Sequence, residues 1–305
     1  MMNGIIPLWK PKGLTSHDCV VKLRKLLKTK KIGHTGTLDP EVEGVLPITI
    51  GKSTKLTTLI TDRPKTYLAE LSLGKQTTTE DQTGDVVEVE NIDQQITFNE
   101  CKAACQQFEG QIKQIPPMYS AVKINGKKLY EYAREGIEVD RPAREVTLEY
   151  IDVIEGSLVQ HAENDFRFKF RVRCSSGTYV RTLCVDIGKK LGFPAHMASL
   201  VREYAGSFSK DDAVTFSELE RAQEEHSVAE FIQSPSRALN FLPVHVVSSK
   251  EEAIRYQHGQ VLPRPDTLLD DELFRVEDRD GQLIAVYQKH PSKEGLIKPF
   301  KVLYS

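Results

Sequence analysis

The residues best placed to do chemistry lie in one stretch, Gly33-His34-Thr35-Gly36-Thr37-Leu38-Asp39-Pro40, continued by Glu41-Val42-Glu43-Gly44-Val45-Leu46-Pro47. The glycines permit turns that a side chain forbids, and Pro40 fixes its own φ while pushing Asp39 towards an extended conformation. Asp39 is thereby offered from a stiff loop and not from a helix face. With Leu38 before it and His34 near in sequence, its carboxylate suits a partly dry pocket, where catalytic acids are found. Asp-Pro is also a common turn initiator, so a plain surface turn is the competing reading. The apolar run Val45, Leu46, Ile48, Ile50 predicts a buried strand directly after the loop.

Several elements must position this acid. Gly4 to Trp9 reads as a strand and Lys10-Pro11-Lys12-Gly13 as a turn. Ser16 is expected to cap a helix from His17 to about Lys28, with Val20, Leu23 and Leu27 on one face and lysines on the other. Gly51-Lys52-Ser53 lacks the earlier glycine of a phosphate loop, so Ser53 is read as the cap of a short helix from Lys55 to Leu59. Lys65 to Gly74 alternates as a strand that carries Tyr67. Thr97-Phe98-Asn99-Glu100 is a capping box opening a helix to Phe108. In Cys174 to Leu183 a strand ends, Gly177 turns and Thr178 caps a helix that Gly192 closes. Arg181 then sits in the first helical turn, against the helix dipole, which calls for a further partner. The Asp39 carboxylate is the candidate.

Two segments carry dense positive charge. Asn125-Gly126 is a hairpin turn, and Lys127 to Gly136 follows as a helical turn in which lysine alternates with tyrosine. That composition suits RNA, with rings on bases and cations on phosphates; a solvated helix with Tyr130 inward is the alternative. Arg144 to Ile154 and Phe166 to Cys174 read as strands. The second sets Phe166, Phe168, Phe170 and Val172 against Arg167, Lys169, Arg171 and Arg173. That row of cations is either a phosphate track or an exposed sheet face.

The chain has 305 residues, 39% hydrophobic and 28% charged, enough for two domains or one large one. A net charge of −2 argues weakly against nucleic acid, but the charge is segregated, basic over Lys22 to Lys31 and acidic over Asp211 to Glu230 and Asp270 to Asp280. No apolar run approaches the roughly 18 residues of a membrane span, and the first residues lack a signal-peptide pattern, so a cytoplasmic protein without membrane contact is expected. The five cysteines lack CxxC spacing and read as reduced, buried thiols; a two-ligand clip at Cys101 and Cys105 finds no second pair to complete a metal site. Acidic helix is expected from Phe216 to Gln233, then a linker at Ser234-Pro235-Ser236. From about Leu242 short strands and turns follow, ending in a strand from Val302 to Tyr304. The expected domains are residues 1–235 and 242–305.

The sequence GHTGTLDP, continued by EGVLP, resembles the catalytic signature of the TruB family, bacterial pseudouridine synthases that modify uridine in the T loop of transfer RNA. LWKPKGLTSHD resembles that family's KPxGxTS stretch, and PPMYSAVKINGKKLYEYAR, SSGTYVR and AHMASLVR resemble its later motifs in the same order. The resemblance runs from about Gly4 to Leu200. It implies an α/β (α+β) pseudouridine synthase fold with a central mixed, mainly antiparallel sheet. At its C-terminal end the chain resembles, by composition and position, a PUA-type RNA-binding module.

The resemblance also implies roles. Asp39 would be the catalytic acid and Arg181 its pairing cation. Tyr67 would lie in the active site, Tyr179 would bind substrate beside Arg181, and Leu200 would line the uracil pocket. His34 would help fill the space that the flipped base leaves. The reaction needs no redox or energy cofactor, the partner would be the tRNA T stem-loop, and a monomer is the family expectation. Two other function classes stay open on the residues alone. One is an RNA binder without chemistry. The other is a nucleoside hydrolase, which needs a second carboxylate, from Glu41 or Glu43.

Overall fold

The computed structural model describes residues 2–92, 95–265 and 273–303. They fall into two compact units, residues 1–63 with 204–305, and residues 64–203. Asp270, Asp271 and Glu272 of the acidic run and Tyr304 of the expected last strand lie outside the described residues.

In the first unit, Gly4–Lys10 pairs antiparallel with Glu43–Ile50 over its whole length, from Gly4↔Ile50 to Lys10↔Gly44. Ile32–His34 pairs with Glu43–Ile50 as well. Glu43–Ile50 is apolar almost throughout because all but its first residue is buried. The helix Ser16–Leu26 lays Cys19, Val20 and Leu23 on these strands, in one cluster with Ile6, Leu8, Ile48 and Leu219. Late residues complete the other edge of the first strand: Ile5 and Gln233 exchange backbone hydrogen bonds of 2.9 and 2.8 Å, and Trp9 N–H donates to Val214 at 2.8 Å.

The last part of this unit has its own sheet and core. Its order is Val244–Val246, Leu273–Glu277, Leu283–Lys289, Leu296–Val302, Leu262–Pro263; the first pair is parallel and the others antiparallel. Phe274, Tyr256 and Tyr287 fill that core, with the two tyrosine rings edge-on at 4.9 Å. Tyr256 comes from the helix Lys250–Gln257, which stands in a segment whose composition predicts only strands and turns. One face of the small sheet, through Leu283, Val286 and Leu303, joins a cluster with Ile5, Val45, Ala238 and Leu239.

The second unit holds a sheet in the order Ala195–Ala205, Lys65–Leu73, Asp165–Cys174, Arg144–Val153, Gly110–Gln114. The Lys65–Leu73, Asp165–Cys174, Arg144–Val153 and Gly110–Gln114 strands pair antiparallel. The helices Phe98–Gln106 and Val180–Leu191 pack on each other and lie on Arg144–Val153 and Lys65–Leu73 respectively. Gly188 permits the closest approach: a Cβ there would stand 2.2 Å from that of Ala195. Gly192 ends the second helix at φ +87°, a left-handed cap that glycine adopts without strain. Cys101, Cys105 and Cys184 are buried, and burial pushes all three thiols up, Cys101 to about 11. Among the described residues no three metal-ligating side chains gather.

The mixed α/β class and the β-rich end are as the sequence implied; several boundaries are not. Thr15, not Ser16, caps the first helix, in a reciprocal box with Asp18, and the helix stops at Leu26. Ser53 is wholly buried inside the 3-10 turn Gly51–Leu56 and caps nothing; the helix beyond is Thr57–Thr61. Helix from Phe216 ends at Glu224, and a 3-10 turn Val228–Phe231 follows. The expected linker is a capped helical turn, Pro235–Ala238, because Ala238 and Leu239 are core residues. The last described strand is Leu296–Val302 and not one starting at Val302.

Candidate active-site residues

His34 and Asp39 belong to the first compact unit, and Tyr67, Tyr179, Arg181 and Leu200 to the second. Asp39 follows a strand end that is pinned at each step. His34 pairs with Ile48, and Thr35 sends both its N–H and its hydroxyl to Pro47 O at 3.1 Å. Leu38 is buried, while Asp39 beside it is half-buried. Val42 N–H closes a turn on Asp39 O at 3.1 Å, so Asp39 opens a turn.

The Lys10–Ser16 segment holds this turn from below. Lys10 is fully buried, and its ammonium donates to Val42 O at 2.6 Å, Pro11 O at 2.8 Å and Pro40 O at 3.2 Å. Gly13 N–H adds a bond to Pro40 O at 2.9 Å. Ser16 Oγ accepts from Leu38 N–H at 2.9 Å. Sequence reasoning takes Lys10 for a turn residue and Ser16 for a cap. Nothing in a linear pattern announces bonds across 22 to 32 positions. Of the two acids that could serve a hydrolase, Glu41 is exposed and Glu43 half-buried in the strand.

In the second unit, Arg181 lies in the first turn of Val180–Leu191 and is 5% exposed. Its guanidinium donates to Thr79 O at 2.9 Å and Tyr119 O at 2.8 Å, and stands 3.9 Å from Asp81. Two carbonyls from separate loops therefore orient the fork, so its direction is set by more than any one anion. The next residue, Thr182, donates to Glu80 at 2.6 Å; burial raises the Glu80 carboxyl, opposed by Thr182 and by Arg181. Thr178 is not the cap: its hydroxyl returns to Ser175 O, and Tyr179 occupies the cap position without a side-chain bond. The buried Gln114 brackets Tyr179 instead, accepting from its N–H at 2.8 Å and donating to its carbonyl at 3.0 Å.

Tyr67 is buried in Lys65–Leu73, opposite Val172. Its hydroxyl is hydrogen-bonded by Arg202, a guanidinium with no exposed surface; burial lowers the Arg202 pKa and Tyr67 opposes that shift. Leu200, also buried, lies two residues before Arg202 and so on the same face of its strand. Sequence reasoning assigns Arg202 no role, although it ends the AHMASLVR motif. A charge inside an otherwise buried strand is the signal that could have found it.

The two cationic segments differ. Arg167 forks onto Asp165 at 2.7 to 3.1 Å, Lys169 reaches Glu70 at 3.7 Å, Arg171 binds Glu203 at 2.7 Å and Arg173 binds Glu149 at 2.5 Å. The strand's cations are thus matched by acids, as an ion-paired sheet face would have them. In the hairpin Lys123–Ile124 with Lys127–Lys128, and the helix Leu129–Arg134 that follows, cations lie over rings. Lys127 stands 4.7 Å from the centre of Tyr132, Lys128 5.2 Å and Arg134 5.3 Å from that of Tyr130, and Lys127 also pairs with Glu135.

Comparison with known proteins adds three findings. The model of the TruB family pseudouridylate synthase N-terminal domain matches residues 24–180, and that of the tRNA pseudouridylate synthase B C-terminal domain matches residues 181–240. The chain is 52% identical to the tRNA pseudouridine synthase B of Bacillus pumilus and 49% identical to that of Bacillus subtilis, each match covering 99% of this chain and 98% of the relative. It is also similar to a chain in the crystal structure of a Cbf5–Nop10–Gar1 complex, with 26% identity and a TM-score of 0.74 over 98% of this chain and 84% of that one.

Proposed function

The chain belongs to the TruB family of tRNA pseudouridine synthases, enzymes that isomerise uridine to pseudouridine in tRNA, and we propose that its target is a uridine of the T loop and that Asp39 carries the chemistry. The reaction breaks the bond from N1 to C1′, turns the uracil and joins C5 to C1′. The proton on C5 leaves and N1 gains one, so the product is an isomer. Enzymes that act on a base first extrude it from the stack. Asp39 then acts on the ribose or the ring, and Arg181 supplies the counter-charge that keeps the carboxylate ionised in a dry setting. Tyr67, held by Arg202, stacks on the base or takes its proton, and Tyr179 borders it. Leu200 excludes water that would otherwise divert rearrangement into hydrolysis. His34 fills the space the base vacates.

The observation that carries this reading is the bracing of the Asp39 turn by Lys10 and Ser16, which preorganises the loop that offers the acid. Around it, residues 1–235 serve as the catalytic part and 242–305 as a PUA-like RNA-binding part, whose separate core supports that division. The protein acts as a cytoplasmic monomer, without a cofactor. Among the described residues no helix is long and apolar enough to cross a membrane.

The test is incubation of wild type and Asp39→Asn with unmodified tRNA transcript, with position-resolved detection of pseudouridine. Wild type is expected to modify one T-loop uridine, and the variant to bind tRNA normally yet form no pseudouridine. Residual activity in the variant refutes the assignment of Asp39, and modification elsewhere refutes the T-loop target. Release of free uracil would mark a hydrolase instead.

A further inference from the structure

Thr15 and Ser16 are adjacent hydroxyl residues at the start of one helix, and only one of them is needed to start it. Thr15 does so: its Oγ1 accepts from Asp18 N–H at 3.0 Å, while the Asp18 carboxylate accepts from Thr15 N–H at 2.9 Å. Ser16 points the other way and is 1% exposed. Its Oγ reaches 22 residues along the chain to accept the Leu38 N–H at 2.9 Å, with Leu38 O 3.4 Å away. Leu38 is the residue before Asp39, so this bond fixes the peptide that leads into the acid. The carbonyl of Pro40 is fixed on the far side by Lys10 and Gly13. A buried amide that loses its acceptor has no water to turn to, so the segment around Leu38 would shift to find another.

We infer that Ser16 is a positioning residue for Asp39, a hydroxyl staple that sets the carboxylate's place for the isomerisation and contributes nothing to tRNA affinity. The inference rests on the reading of Asp39 as the acid that acts on uridine. It assigns to Ser16 a role separate from that of Thr15, although the sequence reading takes Ser16 for the cap. A misplacement on the order of 1 Å costs about 100-fold in rate when reacting groups must be aligned. Loss of one staple among several is expected to cost about 10- to 100-fold.

The test compares Ser16→Ala, Thr15→Ala and Asp39→Asn in the full chain, reading single-turnover pseudouridine formation on unmodified tRNA transcript, tRNA binding and melting temperature. Ser16→Ala is expected to slow the single-turnover step about 10- to 100-fold with unchanged tRNA binding. Thr15→Ala is expected to lower the melting temperature by about 2–4 °C, as loss of a helix cap does, with the rate within about twofold of wild type. A folded Ser16→Ala with wild-type rate overturns the staple, and so does a rate loss matched by an equal loss in Thr15→Ala or explained by weaker tRNA binding. If Ser16→Ala does not fold, Ser16→Cys takes its place: its sulfur is a poorer acceptor at similar volume, and a wild-type rate there is equally fatal. An active Asp39→Asn overturns the reading beneath the inference; an inactive Asp39→Asn beside a fully active Ser16→Ala overturns the staple alone.

Discussion

The strand Asp165–Cys174 and the hairpin-helix around Lys127–Arg134 are both rich in cations, yet they present their charge in opposite ways. Along the strand, acids from other strands meet the cations: Glu70 from adjacent Lys65–Leu73, Glu149 from adjacent Arg144–Val153 and Glu203 from Ala195–Ala205, one strand further on. In the hairpin-helix Lys128 and Arg134 lie over Tyr130, whose ring face attracts them without neutralising them, while Lys127, over Tyr132, also meets the acid Glu135. A count of lysine and arginine along the chain does not separate a stitched sheet face from a segment whose cations lie over rings. Pairing does.

The sharpest way to break this contrast is at the hairpin. Replacing Lys127, Lys128 and Tyr130 with alanine should weaken tRNA binding by about tenfold or more and flatten its salt dependence by about one unit of slope for each phosphate that no longer meets a cation. Lys169→Ala with Arg171→Gln should leave affinity and salt slope within about twofold of wild type. Equal losses in the two variants, read by titration at several salt concentrations, would erase the distinction.

A smaller effect tests the strand from the stability side. Asp165 is 7% exposed and takes the Arg167 fork and the Ser72 hydroxyl. Arg167→Ala leaves that carboxylate short of donors and should cost about 1–3 kcal/mol in urea unfolding. A neutral result would mean the strand's cations are not structural. The smallest effect is in pH. Burial works against ionising Asp165, but the hydrogen bonds from Arg167 and Ser72 outweigh it and hold the carboxyl below its ordinary 3.8. The folded state thus binds this proton less readily than the unfolded one. The contribution is complete above the unfolded value and is lost as pH falls through the folded one. Asp165→Asn should flatten the decline of stability below about pH 4 relative to wild type.

Local chemistry made much of this legible. The Asn125-Gly126 turn, the Thr97 capping box, the buried strand after Asp39 and the glycine stop at Gly192 depend on near neighbours and stand where spacing puts them. The misplaced caps share a cause. At Ser16 and at Thr178 the hydroxyl expected to cap is taken by another partner, Leu38 N–H in one case and Ser175 O in the other. At the candidate site, residue types were readable but their supports were not. Lys10, Gln114, Thr79, Tyr119 and Arg202 act through backbone carbonyls or through partners far along the chain, and a carbonyl acceptor leaves no mark on sequence.

The first strand made is among the last to be completed. Gly4–Lys10 needs Val214 and Gln233 along one edge, and its core includes Ala238, Leu239 and Leu303. Residues 64–203 are contiguous and form a compact unit, so they can close while the ribosome is still at work. At the usual pace of translation, the roughly 170 residues from Arg63 to Gln233 take about 10–30 s to emerge. Throughout that interval the loop bearing Asp39 waits on an unfinished scaffold.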